Sequence, residues 1–507
     1  MLNLFVFALP LLLFTIFLIK WFSSTEAHNH LPPSPPRLPI LGNLHQLGTR
    51  PHRSLQQLAK QYHGGLMMLH FGSRPVIIVS SADAACEIMK TNDLIFSSKP
   101  RLTVIDRLLY QGKDVASAPY GEYWRKMRSI CVLHLLSNKR VQSFRRVREE
   151  ETALLIENVR NLSVLSLPVN LSEMFSLLTN DVICRVAFGK KYSGGNEGAI
   201  KFKTFLGDFT ELLGGFSVGD FIPWLSWVNH FTGVDARVER VAKEFEEFLD
   251  TIVEEHMINL STKGDICGEN GEYRKDFVDV LLEVQKNNDS GSSIDRDGIK
   301  AVILDMFSGG TDTTSTVLEW AMSELIRHPR VMKRLQNEVM GVANGKQDIT
   351  ESDLDKMPYL KTVIKETLRL YPPLPLVSLR ESIQDAKIKG YDIAAKTMVL
   401  VNAWTIGRDP SLWDEPEEFQ PDRFMKSCVD FKGQDFQLIP FGGGRRGCPG
   451  ILFAMTTVEL VLATIVHKFE WALPRGARAE DMNVTECSGV VIHREVPLIA
   501  MAVPRSS

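Results

Sequence analysis

The stretch FGGGRRGCPG, Phe441 to Gly450, wraps one cysteine in five glycines and two adjacent arginines, and an apolar run follows it. A disulfide needs a partner cysteine and a structural zinc site three further ligands; no CxxC pair occurs in the chain. A lone thiolate is a strong ligand for iron, and its negative charge needs stabilising. Backbone N–H groups do this where the chain approaches the sulfur closely, as glycine permits. The run ILFAMTTVELVLATIVHKF reads as a long buried helix whose N-terminal dipole favours negative charge at Cys448. Arg446 can reach an acidic group of a cofactor, and Phe441 can shield the sulfur. From this stretch alone, a flexible Gly-Arg loop with an incidental cysteine reads equally well.

A second candidate is DMFSGGTDTTSTVLEW, Asp305 to Trp320, inside an apolar-periodic run from Ile299 to Leu325. Glycines, acids and hydroxyls in mid-helix break normal helix preference, and such breaks tend to mark function. Gly309 and Gly310 remove bulk, so a flat ligand can lie against the backbone, and Asp312 with Thr313 can relay protons through water. Ordinary Ser/Thr bonding to the preceding turn would explain an irregular helix just as well. In KETLRLYPPLP, Glu366 and Arg369 share a helix face, and Arg423 of FQPDRF can close a buried Glu–Arg–Arg cluster. On a surface such a pair contributes only about 0.5 kcal/mol. In YGEYWRKMRSI, Trp124 and Arg128 stand at i, i+4 and can jointly hold an anionic group.

These residues need a scaffold. The 507 residues are 44% hydrophobic and 23% charged, enough for a large core and, by length, for two to four domains. A net charge of −3 argues against a nucleic-acid partner held by overall charge. Seven cysteines, an odd number, fit a reducing compartment better than a disulfide framework. Leu2 to Ile19 carries no charge and is long enough to span a bilayer, with Lys20 and Trp21 at its end. It lacks a basic n-region and a small-residue cleavage site, so residues 1–21 are expected to be a retained anchor with the body in the cytosol. LPPSPPRLPILGN, within the linker and hinge of residues 22–43, should be a stiff extended spacer. MMLHFGSRPVIIVSS predicts two short strands about a turn, and most of the remainder predicts helix. The body is therefore expected to be mainly α, with a small β part early and late.

In combination these motifs resemble the cytochromes P-450. FGGGRRGCPG matches the family's haem signature F-x-x-G-x-R-x-C-x-G at every fixed position, and GGTDTT resembles its oxygen-activating helix motif. Glu366–Arg369, Phe419–Phe424 and Trp124–Arg128 follow in the family's order, and the anchor and proline hinge are similar to those of its microsomal members. FSSKP, YWRKMR, LLSNKRV and NAWTIGRDP look like the plant A-type group near its family 71. The resemblance implies one haem-thiolate catalytic domain over residues 44–507, a large helical domain with a small β-rich region behind an N-terminal transmembrane helix. It implies haem b (iron protoporphyrin IX) with Cys448 as the axial ligand to iron and Phe441 beside it. Trp124, Arg128, Arg380 and Arg446 would bind the propionates, Asp312 and Thr313 would guide protons to dioxygen, and Glu366, Arg369 and Arg423 would be structural. Asp422 stands where the family more often has Glu, Ser378–Leu379 where relatives often have proline, and Gly65 where proline is common.

By family position the substrate pocket would draw on Val104, Leu108, Val302, Met306, Leu374, Val377 and Val490, all apolar, which implies a hydrophobic small molecule. The expected reaction is oxidation of a plant specialised metabolite, a terpenoid or coumarin, by O2. The chain holds no flavin or nicotinamide fingerprint, so electrons are expected from an NADPH–haemoprotein reductase in the endoplasmic reticulum membrane, whose lipid would hold the single-pass anchor. Lys126, Lys139, Arg140 and Arg445 can form the docking face. Two other readings stand beside this one. The first is a haem-thiolate enzyme without net oxygen insertion, such as an aldoxime dehydratase. The second is a non-catalytic membrane-tethered scaffold.

Overall fold

The computed structural model describes residues 30–62, 64–192, 207–215, 217–262, 275–287 and 294–505. The expected anchor at 1–21 and the first part of the linker lie outside the described residues. Residues 31–37 of the proline stretch form neither helix nor strand, and they are docked: Met68 N donates to Pro33 O at 2.9 Å, and Asn43 Nδ2 to Pro36 O at 3.2 Å.

Alternating apolar side chains build the early hairpin. Strand β1 (Leu66–Phe71) pairs antiparallel with β2 (Arg74–Val79), Leu66 opposite Val79. Two later strands complete the sheet, β3 (Leu376–Glu381) and β4 (Met398–Asn402), in the order β1-β2-β4-β3. Met67, Leu69, Val76, Ile78, Met398 and Leu400 face one apolar cluster, while Leu66, Met68, Ile77, Val79, Val399 and Val401 face another. A sheet covered on both faces explains why β4 is buried at all five positions. The β3–β4 register shifts between Val377 and Arg380, at the position where Ser378–Leu379 depart from the family pattern. A smaller three-stranded sheet joins Val169–Asn170, Ile499–Pro504 and Phe469–Ala472.

The helices carry the rest. Those that matter for the site are α1 (Pro51–Gln61), α2 (Glu122–Ile130), α3 (Arg145–Val164), α4 (Leu171–Phe188), α5 (Arg296–Arg327), α6 (Pro358–Leu370) and α7 (Ile451–Lys468). A short helix, Asn138–Ser143, ends at Phe144 just before α3 begins. Helix α5 opens on Asp295, whose carboxylate accepts from Gly298 N at 2.9 Å, and it stops before Pro329. Its hydroxyls do not unwind it: Thr311 Oγ1 donates to Phe307 O at 2.9 Å and Thr313 Oγ1 to Gly309 O at 2.6 Å. Among the described residues α7 is the helix apolar and long enough to cross a membrane, yet Val458, Val461, Leu462, Ile465 and Val466 are buried in the main core.

Two buried polar clusters tie distant parts together. Glu366 and Arg369 on α6 are fully enclosed. Arg369 Nε and Nη2 grip the carboxylate at 2.7 and 2.8 Å, and Arg423 Nε adds a bond of 3.0 Å. The remaining Arg369 N–H groups reach the carbonyls of Gly407, Pro416 and Glu418. Every donor is satisfied, and removing one partner from such a buried pair costs about 3–5 kcal/mol. The second cluster sits on Glu486, which receives His52 Nε2 of α1 at 2.9 Å, Arg53 Nε at 2.7 Å and Trp404 Nε1 at 2.9 Å.

Burial alone would raise the Glu486 carboxyl, but the His52 and Arg53 bonds pull it down to about 2 from an ordinary 4.5. A carboxylate lowered in the folded state stabilises above its unfolded value and loses that contribution as pH falls through its folded value. Between pH 4.5 and 2 the cluster is therefore expected to lose about 3 kcal/mol. Acid unfolding of the wild type and Glu486→Gln checks this. The wild type should lose more stability across that window, and parallel curves would show that the cluster does not contribute.

Candidate active site

The loop Phe441–Gly450 lies between the sheet and the start of α7. Gly444 has φ +64°, and a Cβ there would stand 2.1 Å from Met89 O, so only glycine lets the loop close on that segment. The turn is fixed by Gly447 N donating to Gly444 O at 3.0 Å and Cys448 N to Phe441 O at 2.9 Å. Gly450 N points at Cys448 Sγ, 3.3 Å away, and α7 begins at the next residue. The sulfur thus sits at a helix N-terminus, as the sequence predicts. Burial pushes the thiol up, while the Gly450 N–H and the Arg128 charge pull it down, and burial prevails. A thiol held this way ionises when a metal cation joins it.

Cys448 is deep in the body, and its accessible surface opens into a cavity of about 300 Å³. Phe441 lies beside it, its ring tilted 60° against that of Phe431 with centres 5.6 Å apart. Helix α5 lines the same cavity with Met306, Gly309 and Thr313. At Gly309 the backbone is bare, with open space where a Cβ would point; at Gly310 a Cβ would meet Ile183 of α4 at 2.4 Å. The two glycines therefore do different things, one clearing the cavity and the other letting two helices touch. Leu374 and Val377 complete the apolar side.

A cationic edge faces this cavity. Trp124 and Arg128, one turn apart on α2, both line it. Trp124 Nε1 donates to Val115 O at 3.0 Å and Arg128 Nη2 to Gly447 O at 2.6 Å. Arg446 lies over the Trp124 ring at 4.1 Å and donates to Ser97 O and Ala118 O at 2.6 Å each. Arg380 is buried behind the loop and braces it through Gly443 O at 2.7 Å; it does not line the cavity. Burial lowers Arg380 to about 10. Burial and the nearby Arg380 charge lower Arg446 to about 9. An acidic cofactor edge would relieve this crowding of like charge.

Two further residues join the site that the sequence reading passed over. Lys99 of FSSKP lines the cavity, its basicity lowered by burial and by Arg380 and Arg446. Its signal was the FSSKP stretch, in which Lys99 stands between Ser98 and Pro100. Asp305 also lines it, and its Oδ2 accepts from Val115 N at 2.6 Å and Ala116 N at 3.2 Å, tying the preceding loop to α5. Burial and the adjacent Asp114 hold its carboxyl well above the usual range.

The other expected residues lie elsewhere. Asp312 follows the far side of α5 and meets His493, because neighbouring helix positions are about 100° apart and it cannot share Thr313's face. Val104, Leu108 and Val302 are packed into the main apolar core and are not among the cavity-lining residues. Val490 is exposed at the tip of a C-terminal hairpin, against Gly214. Glu366, Arg369 and Arg423 come together away from the cavity, as a structural cluster.

A family model described as Cytochrome P450 matches residues 32–500. The chain belongs to the cytochrome P450 family. It is 56% identical over 500 residues to Cytochrome P450 736A117 of Prunus mume, covering 97% of this chain and 95% of that one. It is 52% identical over 498 residues to norfluorocurarine oxidase of a Strychnos species, covering 98% and 97%. It is 49% identical over 501 residues to (+)-menthofuran synthase of Mentha piperita, covering 99% of each. A solved zebra fish cytochrome P450 structure with abiraterone shares the fold with TM-score 0.73 and 25% identity, over 90% of this chain and 100% of that one. The protein is thus a cytochrome P450 monooxygenase of a plant specialised-metabolism group, with haem as its cofactor. A lone sulfur under one N–H donor, a cleared helix wall and a cationic rim fit that cofactor. Family membership also brings dioxygen, a redox partner and a hydrophobic substrate.

Gly444→Ala tests the loop. A left-handed backbone position costs a non-glycine residue about 1–3 kcal/mol, and the Met89 carbonyl leaves no room. Haem retained per purified chain should fall sharply while Gly345→Ala, whose Cβ meets nothing, keeps it. Full haem content in Gly444→Ala would show that the loop tolerates the displacement.

Proposed function

We propose that the protein oxidises a small hydrophobic plant metabolite, of terpenoid or coumarin type, and that Cys448 would hold the iron of haem b through its thiolate. The observation that carries this reading is that Cys448 lines one cavity together with Gly309 and Thr313 of α5. Bound there, the haem supplies the activation of dioxygen. The chain's own residues do the rest. Arg128, Arg446 and Trp124, with Lys99 beside them, would hold the propionates, while Arg380 keeps the loop in place through Gly443. The Thr313 hydroxyl, at the cavity wall, would hold a proton at Oγ1, and Asp312, the next residue of α5, would be the acid that supplies it. Glu366, Arg369 and Arg423 keep the supporting core rigid.

Met306, Leu374 and Val377, with Ile183 and Phe277, give the substrate end an apolar lining that orients its guest by shape. The names of two relatives, a menthofuran synthase and a norfluorocurarine oxidase, support small plant compounds as the class. Residues 1–21 would anchor the chain in the endoplasmic reticulum membrane, residues 22–43 would link it, and residues 44–507 would form the cytosolic catalytic domain. An NADPH–haemoprotein reductase is the electron donor in this reading. Of the expected docking residues, Arg445 is engaged by Asp93 at 3.1 Å and Arg140 by the carbonyls of His134 and Lys275.

Turnover of a terpenoid and coumarin panel by the membrane-bound protein with reductase tests the reading. Product should require both NADPH and O2 and carry oxygen from labelled O2. Product formed without either would identify a dehydratase or isomerase, and a folded protein without haem would revive the scaffold. In Thr313→Ala, product per NADPH should fall about tenfold or more, with peroxide released instead; unchanged coupling would remove Thr313 from proton delivery.

A further inference from the structure

The Asp312 carboxylate has a partner that the motif does not include. His493 stands on a C-terminal hairpin closed by the Glu486–Arg494 bridge and by Cys487 N donating to His493 O at 2.9 Å. The hairpin is fixed on α5 by Trp320 Nε1 donating to Ile492 O at 2.8 Å, and on the Pro373 turn by Ile492 N at 3.0 Å. That places His493 Nε2 3.5 Å from Asp312 Oδ2 and Nδ1 2.7 Å from Thr316 Oγ1. Thr316 Oγ1 also donates to Asp312 O at 2.8 Å, so its lone pairs are left for Nδ1–H. Both ring nitrogens then face acceptors, an arrangement satisfied by the imidazolium.

We propose that His493 is a positioning residue that holds the Asp312 carboxylate on the outer side of α5 and recharges it with protons from solvent. The exchange is simple: the proton on His493 Nε2 passes to Asp312 Oδ2, and the neutral ring takes a proton from water, with no change of oxidation state. Side-chain accessibilities of 33% for His493 and 30% for Asp312 leave both in reach of solvent, while neither lines the cavity. The pair thus joins bulk water to the residue next to Thr313.

The charged groups around the ring agree with this. Asp312 and Glu319 face it from α5, the latter accepting from Arg494 N at 3.1 Å, and Cys487 and Arg494 flank it on the hairpin. Burial alone would lower His493, but the Asp312 bond and charge, with Glu319 behind, raise it. A raised histidine stays protonated further into the neutral range and stops donating as pH rises past its folded value.

The inference rests on the role given to Asp312 under the proposed function, and the experiment separates the two. Full-length holoenzyme with reductase is assayed across pH for product and peroxide per NADPH, as wild type, His493→Ala, His493→Gln and Asp312→Asn. Histidine-ring NMR of the same proteins follows the His493 titration without turnover. The wild type should lose coupling as pH rises through the His493 midpoint. Both His493 variants should be about tenfold less coupled at low pH and insensitive to it, and the NMR midpoint should drop in Asp312→Asn. Wild-type coupling in His493→Gln would leave only a holding role and overturn proton supply. Normal coupling in both His493 variants beside a poorly coupled Asp312→Asn would overturn this inference alone. A fully coupled Asp312→Asn would overturn the role of Asp312 itself. An NMR midpoint indifferent to Asp312→Asn would overturn the pairing even if a His493 variant failed to fold.

Discussion

A single sulfur has to be held at the floor of a buried cavity, without a second thiol and without a fixed cation in direct contact. Burial favours the neutral thiol, and the loop opposes burial only as far as one N–H group, a helix N-terminus and the distant charge of Arg128 allow. The balance leaves the sulfur ready for a metal and protected without one. Much else follows from that placement. The loop must approach Met89 closely, which demands glycine at 444, and it must be braced from behind, which Arg380 does through Gly443.

The same cavity needs an electrostatic rim and a rigid frame, and the chain separates these tasks. Arg128, Arg446, Lys99 and Trp124 form the rim, drawn from three segments far apart in sequence. Glu366, Arg369 and Arg423 form a closed ionic cluster outside the cavity, where every guanidinium N–H of Arg369 is bonded. Their burial makes them sensitive to substitution without giving them a part in the chemistry. Helix α5 links rim, frame and cavity. It carries a bare stretch at Gly309, a hydroxyl at Thr313, a carboxyl at Asp305 that ties down the adjoining loop, and an outward acid at Asp312.

The parts of this arrangement set by local chemistry were legible in the sequence. Cys448 with its glycines, the polar break in α5, the Glu366–Arg369 spacing and the i, i+4 pair on α2 each carry their geometry within about ten residues. The early hairpin was legible too, because two short apolar runs flank a Gly-Ser-Arg-Pro turn. What depended on long-range packing was not. Val104, Leu108 and Val302 are as apolar as Met306 and Leu374, and only the packing of distant helices decides which of them face the cavity. Asp312 and Thr313 were read as one unit, although adjacent helix positions point different ways. Its partner His493 is 181 residues later on a hairpin that periodicity does not describe. Asp305 was visible as an acid after an apolar run and Lys99 as the lysine of FSSKP, but their role depends on contacts across the fold.

The central claim is that the Cys448 thiolate holds the haem iron, and the reduced, carbon monoxide-bound difference spectrum tests it most directly. The purified full-length protein and Cys448→Ser are compared at equal folded concentration. A strongly red-shifted Soret band in the wild type, absent from the variant, is the predicted result. An unchanged spectrum in Cys448→Ser, or no haem spectrum in well-folded wild type, would contradict the account.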